Sequence, residues 1–437
     1  MPAPAHPLSA APEAVAADPV AQPTAGHARR PRVLFLAKHF PWPPASGGVQ
    51  RSFHQVRGLA RTHDVSVLAL GECPHPGGLE AFVAASGCTD AHAIPTSSCR
   101  FAHDTREPLP VRAWGALQRL VGPPRPEIHY YWWSEALVAE LAARRARDPV
   151  DFVFASQSWM AEHAHRAGFR TIVVDVDDLV SEVERQKLAA RGWSARLPLD
   201  RLRNARARSY ERLLPRRFAG VLVAKADDLP FFPAPLRHRV AVLPNGVAIP
   251  AQPAPGPGRH DTLLFVGMLV HEPNLDAIRW FARDVLPRIW AVRPDVRFQV
   301  AGFGSAAPLA EALADPRCQV AESPVELAPF YEEAGVVVTP IRIGSGTRIK
   351  VLEALAHGRA LVSTSFAPEG LGLQDGVHLA LADTPEALAE RCLALLADPA
   401  HRAALGAAGR ARVAERFDWR RIEAQLDGVG ALVGARA

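Results

Sequence analysis

Between Thr339 and Gly370 the chain reads TPIRIGSGTRIKVLEALAHGRALVSTSFAPEG, and few folds accommodate those residues in that order. Val336, Val337 and Val338 end an apolar run of the kind buried in a parallel sheet, and Gly344 and Gly346 then break it. A helix is expected from near Thr347, because Ile349, Leu352, Leu355 and Ala356 recur at helical spacing and Gly358 supplies the stop. The charges on this helix oppose its dipole. Arg348 and Lys350 stand in the first turn, where a cation costs about 0.3–1 kcal/mol, and Glu353 lies one turn deeper. A bound anion reverses that sign. Glycine amides, a helix amino end and two cations form a phosphate cradle, with Glu353 placed to accept hydrogen bonds from hydroxyls. The structural alternative is a solvated basic turn with a surface Glu; the co-occurrence of these residue types after a buried strand favours the cradle.

The rest of the chain supplies a frame of the same kind. Order begins at Arg32 with VLFLA, then HFPWPPASGG, a helix from Val49 to Ala60, and the strand VSVLAL. Strand, glycine loop, helix, strand opens a doubly wound α/β unit, whose ligands collect at the carboxyl ends of the strands, so Gly47 and Gly48 sit where a helix amino end meets a phosphate or a sugar. DFVFAS and TIVVDVDD are two further buried strands, and VLVAKADD and VAVLPNGV close the first half. A proline-rich linker, PAQPAPGPGRH, precedes TLLFVGM, VRFQVAGFGS, VVVTP and ALVST, a second α/β sandwich. The boundaries are therefore a disordered tail at 1–30, a first unit at 31–250, a linker at 251–260 and a second unit at 261–418, followed by a terminal helix at 419–437. Strand-end loops of both units face one cleft.

Composition narrows the function without choosing it. A chain of 437 residues accommodates two cores, and a net charge of +5 permits contact with anionic partners without requiring it. Five cysteines form no CxxC pair, which points to a reducing compartment and no structural zinc; no signal-peptide core and no spanning segment is present, and the expected location is cytoplasmic. Seven arginines between Arg201 and Arg217 lie on one predicted helix. A solvated face accounts for them, and the alternative is peripheral docking on the anionic inner face of a membrane. The cluster from Tyr130 to Trp133 reads as core.

Three motifs compete for the chemistry. Gly302, Gly304 and Ala307 satisfy a dinucleotide pattern with Glu322 or Glu326 about twenty residues on, but they follow the second strand of their unit rather than the first. They support an NAD-dependent epimerase or reductase as the rival reading. Asp175, Val176 and Asp177 form a DxD of the kind that holds a metal beside a nucleotide diphosphate, and one acid of the run Asp175, Asp177, Asp178 is expected to cap the next helix. A basic module for lipid or RNA ranks third, since no aromatic residues interleave with the basic ones and no nucleic acid is expected as partner.

The third motif is the opening stretch. Together with PNGV at 244–247, FVG at 265–267 and SGG at 46–48, it resembles the GT-B glycosyltransferases of family 4 from Arg32 to about Phe417. The resemblance implies two Rossmann-like domains facing an interdomain cleft, the N-terminal one for the acceptor and the C-terminal one for a nucleotide-sugar donor. It also implies a terminal helix returning to the first domain and retention at the anomeric carbon. Glu353 matches the second glutamate of the E-x7-E pattern, which binds the ribose, whereas Ser345 stands where the first is expected. Met268 and Glu272 occupy the region where many members carry an Arg and a Lys, which leaves Arg348 and Lys350 to neutralise the diphosphate. Asp177 aligns with the family's N-terminal catalytic His and is assigned to the donor sugar or acceptor. The expected site comprises Asp177, Arg348 and Lys350 as catalytic groups, with Gly47, Gly48, Gly344, Ser345, Gly346, Thr347, Glu353, Glu369 and Gly370 on the donor. Asn245 and Gly246 shape the hinge side. No metal or other cofactor is expected; the partners are an NDP-sugar and a glycan or lipid-linked acceptor, as in polysaccharide or glycolipid synthesis.

Overall fold

The computed structural model describes residues 29–44, 47–73, 76–99, 126, 128–190, 194, 196–254, 256, 258, 259, 261–344 and 349–434. Two parallel sheets organise the chain. The first contains β1 (Arg32–Ala37), β2 (Asp64–Leu70), β3 (Asp90–Ile94), β4 (Phe152–Ser156), β5 (Ile172–Val176), β6 (Gly220–Val223) and β7 (Val240–Val242), in the order β3-β2-β1-β4-β5-β6-β7. The second contains β8 (Thr262–Val266), β9 (Arg297–Gly302), β10 (Cys318–Glu322), β11 (Val336–Thr339), β12 (Ala360–Ser363) and β13 (Ala380–Leu381), in the order β10-β9-β8-β11-β12-β13. The central strands β4, β5, β8, β11 and β12 are buried along their whole length, which is why each reads as a mainly apolar run, with Asp175 of β5 the one charged residue among them. Strand order reverses between β1 and β4 in one sheet and between β8 and β11 in the other, and crevices open at the carboxyl edge of such switch points.

Seven helices build the cleft and its surroundings: α1 (Gly47–Ala60), α2 (Ser158–Arg166), α3 (Val180–Ala190), α4 (Leu197–Arg212), α5 (Ile349–Ala356), α6 (Pro399–Phe417) and α7 (Trp419–Gln425). Helix α5 ends as its sequence demands, with Gly358 in the left-handed region at φ 74°. Its apolar side is wider than the periodicity alone requires, since Val351 and Ala354 are buried along with Leu352, Leu355 and Ala356. Helix α6 lies against α5 and β12. That contact leaves no room for side chains: a Cβ at Gly406 would sit 2.1 Å from the Gly358 carbonyl oxygen, and one at Gly409 2.6 Å from Leu355 Cδ2.

The chain then crosses back beside the segment that first joined the sheets. Val247 donates to the Phe417 carbonyl at 2.7 Å, and Trp419 donates to the Val247 carbonyl at 3.3 Å. Asp418 caps α7 by accepting from the Arg420 amide at 2.9 Å. Helix α7 docks on α1 of the first sheet. The Trp419 ring stacks on His54 with centroids 4.1 Å apart, and Glu423 Oε1 lies 2.6 Å from His54 Nδ1 and accepts from Arg57 Nε at 2.7 Å. Trp419, Ile422, Leu426 and Val429 belong to the same buried cluster as Phe35, Val56 and Leu59. Trp419 also covers Gly246, where a Cβ would stand 2.5 Å from the indole.

Trp419 is 3% exposed, so Trp419→Ala is expected to destabilise the chain by about 3–5 kcal/mol in urea unfolding. A loss below about 1 kcal/mol would contradict the placement of α7 within the core of the first unit.

Candidate functional site between the two sheets

The amino ends of α1 and α5 meet across the cleft. A Cβ at Gly47 would come 2.6 Å from Ile349 Cδ1, the first described residue of the second helix. Each helix presents unsatisfied amides and the positive end of its dipole to the same space. Ser345, Gly346, Thr347 and Arg348 lie outside the described residues, whereas Gly344 ends the preceding segment at φ 123°, a conformation that favours glycine.

Two lysines flank these helix ends. Lys38, at the carboxyl end of β1, brings its Nζ to 3.6 Å from a Cβ built on Gly48 and lies 5.9 Å from the Trp159 ring centroid. Lys350 donates to Asn274 Oδ1 at 2.6 Å, and Asn274 in turn donates to the Met268 carbonyl at 2.8 Å. Lys350 Cε is 3.2 Å from a Cβ built on Gly267. Helix α5 thereby delivers a cation to the Gly267–Met268 turn, while Glu272 is directed away, its side chain 71% exposed. Glu353 sits one turn behind Lys350, partly buried. Burial raises its pKa, against the opposing pull of Lys350 and of the Tyr331 hydroxyl. The Tyr331 hydroxyl is buried without a hydrogen bond of regular geometry, so its approach to the Glu353 carboxylate is a loose one.

Asp177 belongs to a buried network that centres on Arg51, one turn into α1. The Arg51 guanidinium grips Asp175 with two hydrogen bonds, Nε to Oδ2 at 2.8 Å and Nη2 to Oδ1 at 2.6 Å. It also donates to Asn245 Oδ1 at 3.0 Å and to the Leu243 carbonyl at 3.0 Å. Asn245 completes the chain by donating to Asp177 Oδ1 at 2.8 Å. Burial works against the charge on Arg51, but Asp175, Asp177 and Asp178 outweigh it and hold its pKa above the ordinary value. Asp175 is thus committed to Arg51. Among the described residues no group of three or more His, Cys, Asp or Glu is arranged to hold a metal.

Glu369 and Gly370 close on the first unit from the other side. Gly370 adopts φ 80°, and a Cβ there would lie 3.0 Å from Asp227 Oδ2 and 3.3 Å from Lys225 Cδ. Burial raises the Asp228 carboxyl to about 6; Lys225 opposes the shift, and Asp227, Glu369 and Asp177 add to it.

The glycine pattern after β9 has a packing origin. A Cβ at Gly302 would fall 1.9 Å from the Gly267 carbonyl oxygen, and one at Gly304 2.7 Å from Val270 Cγ1. Ala307 opens only a three-residue turn, Ala307–Leu309, rather than the helix a dinucleotide fingerprint needs. Glu322 is occupied by the Ala306 amide at 2.6 Å, and Glu326 is exposed. Sequence reasoning missed an apolar rim at this edge: Met268, Val270, Phe303 and Ile343 are 43%, 62%, 45% and 42% exposed on the loops after β8, β9 and β11. It also missed Lys38 and Arg51. Of the aromatic cluster, Trp132 packs edge-on against His39 and Trp133 stacks on His163 with centroids 4.3 Å apart, both only partly buried; the Tyr130 side chain lies outside the described residues.

Comparison with known proteins identifies the second sheet. Residues 260–398 match the family described as glycosyl transferases group 1. The second unit is a group 1 glycosyltransferase domain. A stretch of 129 residues, 28% of this chain, is 30% identical to an uncharacterized 44.6 kDa protein in the cps region of Klebsiella pneumoniae. That match spans 33% of the relative's length. Among solved structures, HepE from Anabaena with UDP and glucose superposes with a TM-score of 0.62 at 13% identity, covering 92% of this chain and 99% of that one. Sucrose-phosphate synthase from Thermosynechococcus elongatus gives 0.62 at 16% identity, covering 93% and 100%. TarM gives 0.64 at 10% identity, covering 93% and 99%. The glycosyltransferase domain and its partner unit therefore share the GT-B fold, two Rossmann-like units with a cleft between them.

The raised Asp228 carboxyl has a definite consequence for stability. The folded chain holds this proton more tightly than the unfolded one, so the contribution is present at low pH and is lost as pH rises through about 6. Asp228→Asn is expected to gain stability relative to the parent between about pH 4 and pH 6, reaching on the order of 1–2 kcal/mol at neutrality. Chemical unfolding at a series of pH values measures this; a gain that shrinks toward neutrality would contradict it.

Proposed function

We propose that the chain transfers a sugar from an NDP-sugar to a hydroxyl of a glycan or lipid-linked acceptor, retaining the anomeric configuration and using no metal. The observation that carries this reading is the convergence of two helix amino ends on one cleft, with Lys38 and Lys350 beside them. Breaking the glycosidic bond to the donor leaves a nucleoside diphosphate whose charge grows in the transition state. Fixed amides and cations aimed at that charge stabilise it without reorganisation, which is the role a metal fills elsewhere.

In this reading Gly47 and Gly48 meet the diphosphate from the acceptor unit, while Gly344 to Arg348 and Lys350 meet it from the donor unit. Glu353 accepts hydrogen bonds from the ribose hydroxyls. Asp177, held by Asn245, contacts the donor sugar or the acceptor, and the turn at Glu369 and Gly370 borders the sugar. The apolar rim of Met268, Val270 and Phe303 suits a nucleobase, whose faces need apolar cover. HepE was solved with UDP and glucose, and also with UDP-glucose; a variant of TarM from S. aureus was solved with UDP and alpha-GlcNAc-glycerol. These relatives make UDP-sugars the first donors to assay. The relative from a cps region supports a place in polysaccharide synthesis.

The test is release of free nucleoside diphosphate from a panel of UDP-, GDP- and ADP-sugars. Glu353→Ala is expected to lower kcat/KM for the donor by on the order of 10–100-fold, the worth of hydrogen bonds to a charged group, with the unfolding midpoint unchanged. Lys350→Ala is expected to raise the donor KM or lower kcat. Full activity in both variants would sink the assignment, and activity lost to EDTA but restored by magnesium or manganese would contradict the metal-free mechanism.

A further inference from the structure

Helix α3 leaves the carboxyl edge of the first sheet three residues after Asp177, and α4 returns against it. The returning end is pinned. Glu211 accepts from the Ser181 amide at 3.1 Å, Tyr210 donates to Glu162 Oε1 at 2.6 Å, and Arg217 donates to Glu162 Oε2 at 2.7 Å. The two helices form an antiparallel hairpin that rises from the cleft edge of the acceptor unit.

The outer side of α4 does not look like a solvated helix face. Leu199 and Leu202 on it are 38% and 52% exposed, and Leu213, which follows its last residue, is 46% exposed. At 3.6 residues per turn Leu199 and Leu202 fall within about 60° of each other, along one stripe that the half-buried Arg206 continues. The arginines divide by side. Arg203, Arg208 and Arg217 are drawn inward to Asp200, Glu182 and Glu162. Arg201 and Arg212 on α4, and Arg216 beyond its end, are exposed and make no ion pair among the described residues. Exposed leucines with cations on the flank of the same helix are the arrangement that inserts apolar groups at a headgroup boundary while cations meet phosphates.

We infer that the outer face of α4 is a docking surface for an anionic phospholipid bilayer, one that sets the cleft edge at the membrane. Charge complementarity selects the partner: the stripe alone suits any apolar surface, but leucines and unpaired arginines together suit a negatively charged bilayer. The inference deepens the lipid-linked acceptor reading, on which its purpose rests, yet binding itself requires no donor and is measured without one. Among the described residues no helix is long and apolar enough to cross a membrane, so the contact is peripheral.

The experiment is co-sedimentation of the full chain with vesicles of phosphatidylcholine, pure or with a third of phosphatidylglycerol, at low and high salt. Binding is expected to the mixed vesicles only and to weaken with salt. Leu199→Asp with Leu202→Asp, and separately Arg201→Glu with Arg212→Glu, should each lower partitioning by on the order of tenfold or more. Both pairs are surface changes, and circular dichroism verifies that they fold. Equal binding to pure phosphatidylcholine, no binding to the mixed vesicles, or variants that bind as the parent does would overturn the proposal. So would competition by a soluble polyanion that displaces the arginine-dependent binding while the leucine pair has no effect, since that marks a general anion patch. Release of nucleoside diphosphate, measured in solution on the same variants, reports separately on glycosyl transfer.

Discussion

The guanidinium of Arg51 is where the first unit's side of the cleft is tied together. It is 2% exposed and reaches three parts of the fold at once: Asp175 at the end of β5, the Leu243 carbonyl and the Asn245 side chain beyond β7. A charge buried this deeply is tolerable only because its partners are complete, and removing one partner of such a pair costs about 3–5 kcal/mol. What the pair secures is position. Arg51 lies one turn from Gly47 and Gly48, so anchoring it fixes the amino end of α1, and through Asn245 it fixes Asp177. Asn245 also precedes the backbone crossing at Val247, where α6 and α7 return. The mouth of the cleft and its hinge are therefore held by one set of hydrogen bonds.

Against that fixed wall the second unit presents the amino end of α5. Lys350 would oppose the helix dipole if left alone, but Asn274 holds it toward the carboxyl end of β8, beside the Phe265 ring at 5.6 Å. The cation is thus part of a built corner rather than a loose surface charge. The cost of placing it in the first turn is offset when an anion binds. Burial is the main cause of the raised Asp228 carboxyl, and across the cleft Glu369 adds negative charge to a region already holding Asp227 and Asp177.

Much of this was legible in the sequence because doubly covered strands leave little room for polar residues. The runs at β1, β4, β5, β8, β11 and β12 are apolar along most of their length, with Asp175 the one buried charge among them, and the inner side of α5 is apolar too. Strands β3, β10 and β13 escaped, and the reason is physical: β10 exposes most of its side chains, β3 reads DAHAI, and β13 spans two residues. Arg51 escaped for another reason. An arginine in a helix reads as surface unless the acids that offset its burial are seen beside it, and Asp175 lies 124 positions away. The same distance hid the true employment of the DxD run, which suggests a metal only while Arg51 is out of view. Gly302 and Gly304 show the converse error: spacing matched a dinucleotide motif, whereas the backbone of Gly267 constrains Gly302 and Val270 crowds Gly304.

The space between α1 and α5, on this account, receives a nucleoside diphosphate. A crystal structure of the chain grown with UDP tests this most directly. The predicted result is a diphosphate between Gly47–Gly48 and the start of α5, within reach of Lys38 and Lys350, with the ribose on Glu353 and the base against the rim of Met268, Val270 and Phe303. A nucleotide bound with its phosphates on Gly302 and Gly304, or an empty cleft at saturating UDP, would contradict it.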